Sequence, residues 1–226
     1  MGEISIDPKF NIHETYKKVR ILNPYRNVSA APTYTNNILY SYDLTNAWWD
    51  KVDINEISLS EFGIGGLANT ATYINDPEGS GAYSQVRIHA TVINGANPDE
   101  KVAISIWVKK DQNESRYPEF YCGGSGGNYV LIQMNTKTGA TGYRGTAHGT
   151  HQVIDKGDWW AVNMLIPPPS GNTFTSNYIN IRAAMADGNT AVGSSFTGLA
   201  WGSLIVGHCE ARMSESYIDT PTITNG

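Results

Sequence analysis

The chain runs to 226 residues with a formal net charge of −5; 40% of its residues are hydrophobic and only 16% are charged. That length suits one large all-β domain, or a moderate domain with an ordered extension, with a core that needs neither disulfide nor metal. The acidic balance argues against nucleic acid as the main partner. No apolar run approaches the ~20 residues of a membrane helix, so membrane insertion is not expected.

The first 36 residues read as an arm. Met1-Gly2-Glu3-Ile4 lacks the basic start and apolar stretch of a secretory signal, so synthesis in a cytoplasm is expected. Asn11 to Leu22 fits either a short helix, with Ile12, Tyr16 and Val19 on one face, or a strand with Val19 and Ile21 inward. Lys9, Lys17, Lys18, Arg20 and Arg26 give the arm five of the 16 basic residues, and Ser29-Ala30-Ala31-Pro32 reads as a linker. Its apolar residues, Ile4, Ile6 and Phe10 among them, are too few for a core of their own and too many for a passive tail. Burial against an adjacent subunit, and hence a homo-oligomer, is the expectation.

From residue 37 onward the pattern is β. In Lys101 to Lys109, Val102, Ile104, Ile106 and Val108 share one face, the period-two mark of a half-buried strand. Ala82 to Ile93, Asn128 to Met134, Asp158 to Ile166, Tyr178 to Ala184 and Leu199 to Cys209 are similar runs. Turn clusters such as Asp76-Pro77-Glu78-Gly79 and Pro167-Pro168-Pro169-Ser170-Gly171 separate them. Many strands without helical stripes between them predict an antiparallel β-sandwich over residues 37–226. Cys122 and Cys209, far apart in the chain, are expected as reduced, half-buried thiols.

The chemistry-bearing residues do not assemble into a catalytic set. His148 and His151 lie in a Gly/Thr-rich stretch without Cys or Glu at ligand spacing; they are expected as exposed loop histidines, with no metal. Gly123-Gly124-Ser125-Gly126-Gly127 matches the letters of a nucleophile elbow, but a strand follows where a helix is required, so a flexible glycine loop is expected. Glu119 and Glu210 are isolated acids in apolar surroundings, and nothing pairs them as glycoside hydrolysis demands. No catalytic residue and no cofactor are therefore assigned.

Aromatic residues remain. In a strand, adjacent side chains point to opposite faces, so only one ring each of Trp48-Trp49 and Trp159-Trp160 can enter the core. The other ring either packs under a loop or a neighbouring subunit, or offers a stacking surface for sugars. Trp49, Trp160, Tyr143 and Arg144 are the candidate ligand-binding residues.

Ile38-Leu39-Tyr40-Ser41-Tyr42-Asp43-Leu44, followed by Asn46 and Trp48, resembles the opening of the carbohydrate-binding-like jelly-roll modules of tailed-bacteriophage virion proteins. Ser105, Trp107, Val108 and Lys109 are similar to their central Ser-x-Tyr-Val-Lys strand, and Gly157 to Val162 to their Gly-Trp-Tyr-Arg-Val strand. Trp201-Gly202, Glu210 and Ser216-Tyr217-Ile218-Asp219-Thr220 resemble the closing segment, with Asp219 where Pro is usual. The resemblance covers about residues 37 to 222, in chain order. It implies a jelly-roll sandwich in a virion, as a tail adhesin or a capsid decoration, with other virion subunits and host-surface glycans as partners. A free-standing lectin, or the binding module of a polysaccharide-degrading system, is the alternative.

Overall fold

The computed structural model describes residues 36–54, 56–76, 85–88, 100–111, 117–124, 127–143, 148–168, 177–183, 202–214 and 216–219. All lie in one compact unit, Thr35–Gly226. The regular elements among them are strands: β1 (Asp50–Val52), β2 (Glu56–Glu61), β3 (Ala71–Asp76), β4 (Gln85–Ile88), β5 (Val102–Lys109), β6 (Glu119–Gly124), β7 (Tyr129–Met134), β8 (Thr141–Tyr143), β9 (Thr150–Asp155), β10 (Trp159–Ile166), β11 (Asn177–Arg182) and β12 (Gly202–Met213). They form two six-stranded antiparallel sheets. The first has the order β1-β4-β11-β6-β7-β8, the second β2-β3-β12-β5-β10-β9. The fold is an all-β sandwich, as the alternation predicts. Among the described residues no helix is long and apolar enough to cross a membrane.

β5 lies inside the second sheet. β10 pairs with it without interruption from Trp159↔Lys109 to Ile166↔Val102, and β12 flanks its other side. Val102, Ile104, Ile106 and Val108 face inward and are at most 1% exposed. They meet Phe120, Ile132 and Ile181 of the first sheet in one core. Each such side chain stabilises the fold by about 1.5–3 kcal/mol. Cys122 and Cys209 join this core as free thiols. Both are fully buried rather than half-buried, because both fall on inward positions of β6 and β12, and burial pushes both thiol pKa values up.

β12 changes phase partway along. Leu204 and Val206 face the core, the register breaks between Val206 and His208, and Cys209 and Ala211 face the core thereafter. Gly207 sits in this bulge, where a Cβ would stand 2.7 Å from the Trp159 ring. β3 accompanies β12 only as far as Val206↔Thr72. Beyond it the chain's own early segment supplies the partners: Cys209 N donates to Ser41 O (2.6 Å) and Asn37 N to Ala211 O (3.0 Å). Asn36, 3% exposed, accepts from Ile38 N (3.0 Å) and Ala211 N (3.2 Å), and its amide donates to Cys209 O (3.3 Å). The chain is thus already bound to β12 at the last residue of the expected arm; residues 1–35 lie outside the described residues.

Two expectations about loops are corrected. Gly123 and Gly124 end strand β6 instead of opening a loop, because the Tyr178 phenol lies over Gly123 where a Cβ would be 2.5 Å from its oxygen. β12 runs four residues past Cys209, to Met213, since its polar residues point away from the core.

Candidate functional site

The expected ligand-binding residues do not converge. Trp49 is 1% exposed, and its Nε1 donates to Tyr40 O at 3.3 Å. Its ring is core and offers no stacking face, so this expectation is corrected: of that pair Trp48 is the half-buried ring, edge-on at 5.7 Å. Trp160 is half-buried but covered. Lys110 Nζ sits 4.1 Å from its ring centre, Gly139 closes on its benzo edge, and its Nε1 donates to Thr136 O at 2.8 Å. Tyr143 is 41% exposed on β8, at the opposite edge of the first sheet from β1, which follows Trp49. Arg144 lies outside the described residues.

The histidines divide. His148 is exposed in a bend, as expected. His151 is instead a β9 residue at the seam between the sheets, its Nε2 2.8 Å from Thr141 Oγ1 and its ring 4.6 Å from that of Tyr143. Burial lowers its pKa. Among the described residues no group of three His, Cys, Asp or Glu side chains is placed to hold a metal ion.

Glu119 and Glu210 are both fully buried, but on the outer faces of different sheets. Sheets packed about 10 Å apart, with the carboxylates pointing away from each other, hold them too far apart for the ~5–9.5 Å of paired glycosidase carboxylates.

The densest polar constellation is the outer face of the second sheet. Cross-strand pairing puts Gln152, Asn163, Ser105 and Glu210 in one straight row across β9, β10, β5 and β12. On β12, His208 and Arg212 flank Glu210 on the same face, with His208 Nε2 3.4 Å from one carboxylate oxygen and Arg212 Nη1 3.3 Å from the other. Ser105, Asn163, His208 and Glu210 are each 0% exposed. Yet, among the described residues, Ser105 Oγ, both amide atoms of Asn163 and His208 Nδ1 have no hydrogen-bond partner. Each such atom costs about 1–3 kcal/mol if left unsatisfied. Apolar clusters flank the row along the strand direction: Trp107, Trp159 and Ile64 on one side, Ala103, Leu165 and Ile218 on the other. Hydroxyl, carboxamide, imidazole and carboxylate between aromatic and aliphatic walls are the donors and acceptors that orient a polyhydroxylated ligand.

This row has no local motif, since its members stand at positions 105, 152, 163, 208, 210 and 212. One signal was readable: Asn163 is a lone amide in the otherwise apolar run Ala161-Val162-Asn163-Met164-Leu165.

No protein-family model matches the chain, and no curated protein matches it in sequence.

Proposed function

We propose that the chain is a non-catalytic, glycan-recognising β-sandwich of a bacteriophage virion protein. The outer face of the second sheet is its ligand face, and residues 1–36 are the arm that attaches it to other virion subunits. The observation that carries the reading is the set of unpartnered, fully buried atoms on Ser105, Asn163 and His208 between apolar walls. Native proteins rarely leave such atoms unmatched, and a sugar's hydroxyls complement all of them. The jelly-roll connectivity and the tail or capsid setting come with the family resemblance.

The row is closed in this conformation. Ile218, 2% exposed, lies on Ala103 and Leu165, and Tyr217 Oη donates to Thr150 Oγ1 at 2.7 Å.

A glycan array probed with the full chain and with Asn163→Ala tests the ligand face. The parent retains defined glycans, and Asn163→Ala binds them about tenfold more weakly at unchanged melting temperature. An array with no retained glycan, or equal binding by the variant, overturns it. Removing residues 1–34, which spares Asn36, separates virion subunit from free lectin: the sandwich stays folded, and self-association is lost if the arm is the attachment. Unchanged self-association returns the reading to a free-standing lectin.

A further inference from the structure

The first sheet carries a second, differently built surface on its outer face. Tyr121, Tyr129 and Tyr178 all occupy outward positions, because their neighbours Phe120, Val130 and Ile179 fill the core. Both Tyr129 and Tyr178 pair with Gly123, which has no side chain to separate them from Tyr121. The Tyr121 ring lies 5.3 Å from Tyr129 and 4.8 Å from Tyr178, and exposed His148 extends the surface 5.2 Å beyond Tyr129. All three tyrosines remain partly open to solvent.

We infer that this tyrosine face is a second glycan-binding surface that takes an extended, uncharged polysaccharide chain. The inference rests on the proposed glycan function but concerns a different face. Three observations select the ligand. First, rings already in contact at 4.8–5.3 Å leave no box between them, so a quaternary ammonium has nowhere to sit. Second, Asn180, paired with Tyr121 and 5% exposed, has a buried Oδ1 without a hydrogen-bond partner among the described residues, an acceptor for a sugar hydroxyl beside the tyrosines, while the Arg182 guanidinium lies 5.9 Å over the Tyr121 ring. Third, the charges nearby are neutralised in pairs: Arg182 with Glu119, and Arg87 with Asp50 at 2.9 Å. Among the described residues of this face, that leaves no unpaired carboxylate or guanidinium to recognise a uronic or sialic acid. Phenol edges and C–H-rich sugar faces supply the contact. With sites on opposite faces, one domain bridges two segments of a glycan coat and gains by effective concentration.

The test titrates the full-length chain with cellohexaose, chitohexaose and mannohexaose separately, read by calorimetry and by the tyrosine ring signals in NMR. The expected result is two sites for at least one oligosaccharide. Tyr121→Ala removes one of them, weakening it about tenfold or more, and Asn163→Ala removes the other. Tyr178→Phe, which keeps the ring, checks the same site should Tyr121→Ala fold poorly; it retains most of the binding. One site that survives Tyr121→Ala but not Asn163→Ala overturns the tyrosine face and leaves the proposed function standing. No binding of any oligosaccharide and no retained array glycan overturn both. Tyrosine signals that respond to protein concentration and not to sugar show a subunit contact, and also overturn the inference.

Discussion

Both sheets bury a carboxylate beside an arginine on their outer faces, and the two arrangements end differently. On the first sheet, Gln85, Arg182, Glu119 and Gln133 stand in a cross-strand row, and Arg182 serves its neighbours on both sides: its Nε donates to Gln85 Oε1 at 3.2 Å and its Nη1 to Glu119 Oε1. On the second sheet, Glu210 is bonded by its own strand neighbours His208 and Arg212, and among the described residues the cross-strand members Ser105 and Asn163 have no side-chain hydrogen-bond partner. A buried charge whose bonds run across strands stitches the sheet. The carboxylate of the second sheet instead has bonds that run along its own strand.

The largest expected effect tests the stitching. Arg182→Ala leaves Glu119 buried without its cation and costs about 3–5 kcal/mol, measured by denaturant unfolding. A loss below about 1 kcal/mol would show that the row does not hold the first sheet together.

A much smaller effect is expected at the opposite row. Ser105→Ala removes a hydroxyl that makes no hydrogen bond among the described residues, so stability is unchanged or rises by up to about 1 kcal/mol. A loss of 2 kcal/mol, on the order of a buried bond to a charged group, would mean that the row is as satisfied as its counterpart, and the contrast collapses.

The smallest effect belongs to the seam between the sheets, where His151 sits against Thr141 and Tyr143. Burial holds its folded pKa below the usual 6.5, so the neutral ring is the native form. The unfolded chain therefore takes up the proton first: stability is fully present above pH 6.5 and falls as pH drops through the depressed folded value. His151→Gln flattens this part of the pH–stability curve. Curves that superimpose between pH 7 and 5 would remove the ring from the account.

Strands with one apolar face were legible in the sequence. β5, β7 and β10 stand within a residue of where alternation places them. β2, β3 and β9 were not, because they are short, partly exposed and carry at most two apolar residues on any one face. β6 was hidden by its buried Glu119 and terminal glycines, whose purpose is visible only beside Arg182 and Tyr178. Trp159 and Trp160 split between the faces of β10 as the strand period requires, whereas Trp48 and Trp49 lie in a turn before β1 and both pack against the same core. Which ring is covered depends on Lys110 and Gly139, distant in the chain from Trp160 or folded back onto it. The polar row was illegible for the same reason: register between strands brings it together.

The bulge at Gly207 works like an inserted letter in a text read two characters at a time. Upstream, even-numbered residues face the core; downstream, odd-numbered ones do. Were the strand to run through Gly207 without the bulge, with its start held in place, His208, Glu210 and Arg212 would be delivered into the hydrocarbon interior, and Cys209 and Ala211 to the outside. A single-codon deletion at Gly207 removes the inserted residue and leaves both faces and the pairing with β5 in phase, so it is a milder change than straightening the bulge. The chemistry of one whole face depends on a residue with no side chain.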